Sequence, residues 1–241
     1  MKRIIILMFA AIFAVSCSDS TSPDGNNVKI SSGISQSSIR SSVAKNDVSI
    51  QSAEFADSLF ITDFKMLISR VKFHGSDIVS NDTLFDDSKS LNFVTGAFIV
   101  RSDSVNSTVV IADAALKAGT YNKIKVEMHR LTPSDIPNYL TKPYFEDFVT
   151  AYRPTFVIRG IFYQEGVAHN FTFLSNVVLN YTTNLNPPVV IGETGVYNFA
   201  FELDPTLLFL DGSGKILVPN YGDNNKQLEK NIKVTMKMKK K

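Results

Sequence analysis

The chain has 241 residues, of which 25 are Lys or Arg and 23 are Asp or Glu, and its formal charge is +2. This near balance gives no electrostatic argument for nucleic acid as a partner, because neutralising phosphates requires an excess of basic side chains. Trp is absent, but 18 Phe and 8 Tyr provide enough aromatic volume for the core of one sizeable domain.

The first sixteen residues have the pattern of a secretory signal peptide. Lys2 and Arg3 form a charged start, and the apolar run at 4–15 is too short to span a membrane. The order Ala-Val-Ser-Cys at 14–17 resembles the lipobox of bacterial lipoproteins. This resemblance implies cleavage before Cys17 and attachment of diacylglycerol to its sulfur. A lone thiol in an oxidising compartment has no disulfide partner, which agrees with such a role.

Removal of residues 1–16 leaves a mature chain of 225 residues with 23 basic and 23 acidic side chains. Its expected partner is the membrane, reached through the lipid on Cys17, because two or more acyl chains hold a protein stably at a bilayer. Ser18 follows the cysteine, which by resemblance to enterobacterial sorting implies transfer to the outer membrane. We therefore expect a lipid-anchored protein of the bacterial cell envelope, with the outer membrane favoured and the leaflet open. An ordinary secreted protein cleaved near Ser16 is the alternative.

Residues 17–47 are rich in Ser, Asn and Gly and show no sustained hydrophobic period. This composition predicts a flexible tether, which would reach up to about 100 Å when fully extended. Isolated apolar residues at Val28, Ile30 and Ile34 leave room for one short strand that docks back on the domain. The sequence thus predicts a single domain at 48–241.

Beyond residue 48 the dominant hydrophobic period is two, which is typical of half-buried strands. At 121–129 the apolar side chains Ile124, Val126 and Met128 alternate with the polar side chains Lys123, Lys125, Glu127 and His129. The same alternation occurs at 196–203 and 231–239. Further strands are predicted at 59–74, 98–101, 109–112, 155–164, 171–180 and 189–191, with a hairpin turn at Gly166.

Helix is predicted only as short turns, at 133–140 and 205–210, where Pro and Asp favour a first turn. Many short strands separated by turn residues predict an all-β fold, an antiparallel β-sandwich of the kind that the immunoglobulin fold exemplifies, with at most short helical turns. No repeat of fixed period is visible in the sequence, which argues against a propeller or a solenoid.

Several short motifs resemble known families. Leu-Lys-Ala-Gly-Thr-Tyr at 116–121 resembles the L-x-A-G-x-Y start of a strand in transthyretin-like and carboxypeptidase-regulatory-like sandwiches. The pieces at 62–63, 68–75, 209–219 and 231–232 resemble a family of uncharacterised bacterial lipoproteins classed as a domain of unknown function. The resemblance covers most of residues 55–238 and implies the sandwich but no specific activity, and residues 133–152 look like an insertion.

The sequence shows no pattern typical of an enzyme. It has neither a G-x-S-x-G nucleophile elbow nor a Gly-rich phosphate loop, and His74, His129 and His169 lie in separate segments without metal-ligand spacing. We therefore expect no catalysis and no metal or other cofactor. The stretches 211–215 and 221–225 offer oxygen ligands for Ca²⁺ but are more typical of turns. Two carboxylates from distant strands would still suit a glycosidase.

The predicted insertion concentrates five aromatic residues, which are Tyr139, Tyr144, Phe145, Phe148 and Tyr152. Exposed rings would stack on sugar rings or dock a protein partner. Alternatively, Phe145 and Phe148, three residues apart as on a helical turn, would cover one open end of the sandwich, and we favour this interpretation. The expected function is a non-catalytic binding or structural module, with glycan binding through the tyrosines as the alternative.

Overall fold

A computed structural model describes residues 28–34, 38–40, 53–76, 93–102, 108–114, 116–192, 197–235 and 237–240. The strands are β1 Val28–Ile34, β2 Ser38–Arg40, β3 Phe55–Ala56, β4 Ser58–Ile68, β5 Arg70–Ser76, β6 Phe93–Val94, β7 Phe98–Ser102, β8 Thr108–Ala114, β9 Gly119–Met128, β10 Phe156–Gln164, β11 Val167–Ser175, β12 Leu179–Ile191, β13 Tyr197–Leu203, β14 Ile216–Leu217 and β15 Lys237–Lys240. The helices are α1 Ile136–Tyr139 and α2 Asn224–Thr235, and Pro205–Phe209 forms a 3-10 turn. Both predicted helical turns are therefore present.

The strands form three larger sheets and the pair β14-β3. Sheet I has the order β15-β13-β1-β8, and sheet III has the order β12-β9-β5-β6. Sheet II has the order β11-β10-β4, and both β2 and β7 pair with the remaining edge of β4. Within the described strands all pairings are antiparallel except that of β1 with β13. The predicted all-β, sandwich-like fold is confirmed.

Two N-terminal strands correct the predicted tether at 17–47. Both β1 and β2 lie inside that range, and β1 is a central strand of sheet I between β13 and β8. Strand β1 occupies the positions where Val28, Ile30 and Ile34 left room for one docking strand, whereas β2 was not expected. Composition did not reveal β2 or the pairing of β1 because the partner strands lie far away in the sequence, and strand preference depends strongly on such context. The folded part of the chain thus begins no later than Val28.

Strands of sheets II and III supply most of the main hydrophobic core. Phe64 of β4 packs edge-on against Phe156 of β10, and Phe73 of β5 packs edge-on against Tyr121 of β9, with ring centroids 6.3 and 6.4 Å apart. The Tyr121 hydroxyl donates a hydrogen bond to the carbonyl of Lys117, so the buried ring keeps its polar atom satisfied. Inward-facing residues of these strands alternate with residues on the outer faces, where the candidate sites lie.

The β10–β11 hairpin turns at Gly166, as predicted. Glu165 and Gly166 have φ angles of 53° and 81°, the positive values that a two-residue turn matching the strand twist requires. At Gly160 the pairing of β10 with β4 shifts register. A Cβ at this position would lie 2.2 Å from the carbonyl oxygen of Phe60, so the close approach of the two strands requires glycine.

The C-terminal region differs from the single strand predicted at 231–239. Residues up to Thr235 form α2, and only Lys237–Lys240 form a strand, which pairs with β13 at the edge of sheet I. Leu228 and Ile232, one helical turn apart, are fully buried in the main core, whereas Val234 is exposed. Apolar residues four apart favour a helix, whereas apolar residues two apart favour a strand, and the helix forms here. It does so because it packs against the 3-10 turn, a partner that sequence periodicity does not reveal.

Candidate functional site

Residues 133–152, here called the cover segment, pack on the outer face of sheet II. Phe145 and Phe148 are 5% and 0% exposed and form a second, smaller core with Leu67, Ile99 and Val157 of β4, β7 and β10. These three strand residues alternate with residues of the main core and so point away from it. The rings therefore cover a sheet face and not an open end of the sandwich, because that face carries apolar side chains that need burial.

The tyrosines of the cover segment divide into packed and exposed rings. Tyr139 stacks on Phe145 with ring centroids 4.6 Å apart, and the guanidinium of Arg101 lies 3.5 Å from the centre of the Tyr144 ring. Tyr144 and Tyr152 are 42% and 47% exposed. Three of the five predicted rings thus take part in packing the cover segment, and Arg101 occupies one face of a fourth.

Ion pairs fasten the cover segment to sheet II. Lys65 of β4 donates to Glu146 at 2.7 Å and to Asp147 at 2.8 Å. Arg159 of β10 binds Asp147 and Asp63, both at 2.5 Å. Asp147 is therefore shared by two cations from neighbouring strands, and this shared contact holds the segment in one position on the sheet.

This cluster gathers Glu146 and Asp147 around shared cations and holds both carboxylates ionised. Burial raises the pKa of Asp147, yet hydrogen bonds from Arg159 and Lys65 outweigh burial and leave that pKa below its usual range. The hydrogen bond from Lys65 likewise lowers the pKa of Glu146. Because a general acid needs a raised pKa, this geometry suits a clamp better than acid catalysis.

The outer face of sheet III has no such cover among the described residues, and we call it the cationic face. Its members on β5, β9 and β12 are Arg70, Lys72, His74, Lys123, Lys125, Glu127, Asn180, Thr182 and Asn184. The register places Lys72 opposite Lys125 and Asn184 opposite Lys123. Directly paired residues point to the same side of a sheet, so all nine side chains share one face.

Glu127 is the centre of the cationic face. Its carboxylate lies 2.9 Å from Arg70, 2.8 Å from Lys72 and 2.9 Å from Lys125, and its side chain is 6% exposed. Burial raises its pKa, but hydrogen bonds from the two lysines and their charges lower the pKa to about 2. One ionised carboxylate thus orders three cations. With exposed Lys123, the described residues of this face comprise four cations against one anion.

The sequence revealed only half of this face. The alternation at 123–129 showed the polar side chains of β9, but the addition of Arg70, Lys72 and His74 required the pairing of β5 with β9. Periodicity predicts that a strand has a polar face, and it does not predict which strand lies beside it. The signal that sequence reasoning could have used is the presence of two segments, at 70–74 and 123–127, in which basic and apolar residues alternate.

The Gly-containing loops and the surface depression offer less chemistry. At 211–215 the Asp211 carboxylate accepts hydrogen bonds from the backbone N–H groups of Ser213 and Lys215, so it closes the turn that the sequence favoured. A depression of about 280 Å³ lies at the β10–β11 turn, where the His169 ring stacks on Phe162. Across the part of the chain that the structure describes, no three His, Cys, Asp or Glu side chains group as metal ligands.

Comparison of the chain with protein-family models, with curated proteins and with solved structures finds no significant match. The resemblance to lipoprotein and transthyretin-like families therefore stays a prediction. Cys17, the predicted lipid attachment site, lies outside the described residues. Within the described ranges, no helix is both long and apolar enough to cross a membrane.

Proposed function

We propose that the protein is a lipid-anchored, non-catalytic binding module of the bacterial cell envelope and that the cationic face is its binding surface. The observation that carries the binding role is the segregation of charge. The mature chain has equal numbers of basic and acidic residues, yet four cations and one carboxylate share one sheet face. A local excess of charge attracts a ligand of opposite sign even when the whole protein is neutral.

The anchor rests on the lipobox-like residues that end at Cys17. Ten residues separate Cys17 from the start of β1 at Val28. This link spans at most about 35–40 Å when fully extended, well short of the reach expected from a tether up to residue 47. A lipid on Cys17 would therefore hold the domain close to the bilayer, and its ligand would be one that occurs near the membrane surface.

The absence of catalysis is part of the proposal and is supported by the state of the clustered carboxylates. Glu127 and Asp147 both have pKa values below the usual range, so neither is suited to donate a proton at neutral pH. Glycan binding through Tyr139, Tyr144 and Tyr152 is the weaker candidate. Tyr139 stacks on Phe145 within the cover segment, and Arg101 lies over one face of Tyr144, so two of the three rings already have a face in contact with another side chain.

The anchor is tested by replacing Cys17 with Ser in the full chain. We expect the wild-type protein to sediment with membranes and to incorporate labelled palmitate, because thioether-linked lipid is its hold on the bilayer. The C17S variant should incorporate no label and should leave the washed membrane fraction, whereas the control Ser18→Ala should behave as wild type. Labelled, membrane-bound C17S would contradict the proposed anchor.

A further inference from the structure

We infer that the ligand of the cationic face is an acidic polysaccharide, a polymer of sugars that bear carboxylate groups. This inference rests on the proposed function and adds the chemical class of the ligand. Three features of the face support it, namely the spacing of the cations, the neutral polar row beside them and the fixed orientation of the lysine and arginine side chains.

Three lysines of the face lie close together on two adjacent strands. Lys72 and Lys125 are direct cross-strand partners, which places their Cα atoms about 5 Å apart, and Lys123 follows two residues along β9 at about 7 Å. A small anion would contact one such pair. An extended polymer with a charge on each sugar would contact the pair and Lys123 together, so the row of cations favours a polymer.

A row of neutral polar side chains runs beside the cations on β12. Asn180, Thr182 and Asn184 are exposed and pair in register with Glu127, Lys125 and Lys123. Amide and hydroxyl groups both donate and accept hydrogen bonds, as the hydroxyl groups of a sugar do. A sugar polymer that bears carboxylates offers both hydroxyl groups for this polar row and charges for the cations beside it.

Glu127 holds the cations ready for a ligand. Its salt bridges fix the long side chains of Arg70, Lys72 and Lys125, which are nevertheless 49%, 28% and 34% exposed. Ordering such side chains on binding normally costs conformational entropy, and a surface on which they are already ordered avoids part of that cost. The exposed fraction leaves each cation accessible to a second, external carboxylate.

The test uses the mature chain, residues 17–241 with Cys17→Ser, titrated with polygalacturonate, with neutral dextran and with a DNA duplex. We expect binding to polygalacturonate that weakens as salt rises, and no binding to dextran. Lys123→Glu should weaken polygalacturonate binding by about tenfold, because attraction becomes repulsion at one contact. Lys230→Glu makes the same charge change at an exposed site on α2 and should leave binding unchanged.

A second variant separates sugar recognition from charge alone. Asn180→Ala combined with Asn184→Ala keeps every charge and should weaken polygalacturonate binding several-fold while leaving any DNA binding unaltered. DNA binding as tight as that of polygalacturonate, and equally sensitive to Lys123→Glu, would overturn the polysaccharide and leave the cationic face as the binding surface. If neither polyanion binds, or if binding is unchanged by Lys123→Glu, the cationic face is not the binding surface. The proposed anchor is tested separately by the C17S variant.

Discussion

The outer faces of sheets II and III carry similar basic side chains, but those side chains are neutralised in different ways. Each presents basic residues on adjacent strands, Lys65 and Arg159 on sheet II and Lys72 and Lys125 on sheet III. On sheet II two of the neutralising carboxylates, Glu146 and Asp147, come from the cover segment, 81 and 82 residues beyond Lys65, and the third, Asp63, lies on β4. On sheet III the carboxylate is Glu127, a residue of the sheet itself.

The difference follows from the neighbours of the cations. On sheet II the outer positions also include Leu67, Ile99 and Val157, which gain from burial beneath a covering segment. The outer positions of β5 and β9 on sheet III are occupied by charged residues and His74, which have no such need for cover. Among the described residues, the outer face of sheet II is therefore buried by a covering segment, whereas the cations of sheet III are ordered by a carboxylate of the same sheet.

Removing the most deeply buried ring of the cover segment should have the largest effect on stability and would test whether burial holds that segment on sheet II. Phe148→Ala deletes a fully buried ring from the second core and should lower the free energy of unfolding by about 3–5 kcal/mol. The matched control Tyr152→Ala removes an exposed ring of the same segment and should cost less than about 0.5 kcal/mol. Urea unfolding of the mature chain measures both. Equal effects would show that the segment is not held by its buried rings.

Glu127 should account for the next largest effect, and for part of the acid sensitivity of the protein. Its folded-state pKa, about 2, lies below the ordinary value of 4.5, so its stabilisation is present above about pH 4.5 and is lost as pH falls towards 2. The shift corresponds to about 3 kcal/mol. Glu127→Gln should cost about that amount at pH 7 and should flatten the loss of stability between pH 4.5 and 2.

Asp223→Asn is the matched control for Glu127→Gln, because Asp223 pairs with Lys226 in a fully exposed salt bridge. Exposed pairs are screened by solvent, so this variant should show no measurable change. If the free energies of unfolding of E127Q and wild type changed in parallel with pH, Glu127 would not be the group that orders the cations of the cationic face.

The shared carboxylate of the clamp should give the smallest of the three effects. Asp147→Asn weakens charged hydrogen bonds to Lys65 and Arg159 and should cost about 1–2 kcal/mol at pH 7. Glu146→Gln, whose side chain is 62% exposed, should cost clearly less. Amide hydrogen exchange across residues 133–152 should rise more in D147N than in E146Q. The reverse order would place the main fastening at Lys65–Glu146.

Prediction from sequence succeeded where structure depends on near neighbours in the chain. The turn at Gly166, the alternation at 121–129 and the helical turns near Pro133 and Pro205 were all recognisable from local patterns. It was wrong at 231–235, where two periods competed for the same residues and burial of Ile232 in a helix decided the outcome. It left room for a docking strand at Val28, Ile30 and Ile34 but did not identify its partners, because β1 forms only between β13 and β8.

The sequence by itself determined the all-β class, because alternation and turn chemistry are properties of adjacent residues. It also presented the lipobox-like pattern at Cys17 and the concentration of rings at 139–152. Only the tertiary structure decided that Phe145 and Phe148 cover sheet II and that the polar residues of β5, β9 and β12 share one face. The physical reason is that pairing between distant strands sets the neighbours of each outer side chain, and a local pattern does not specify those neighbours.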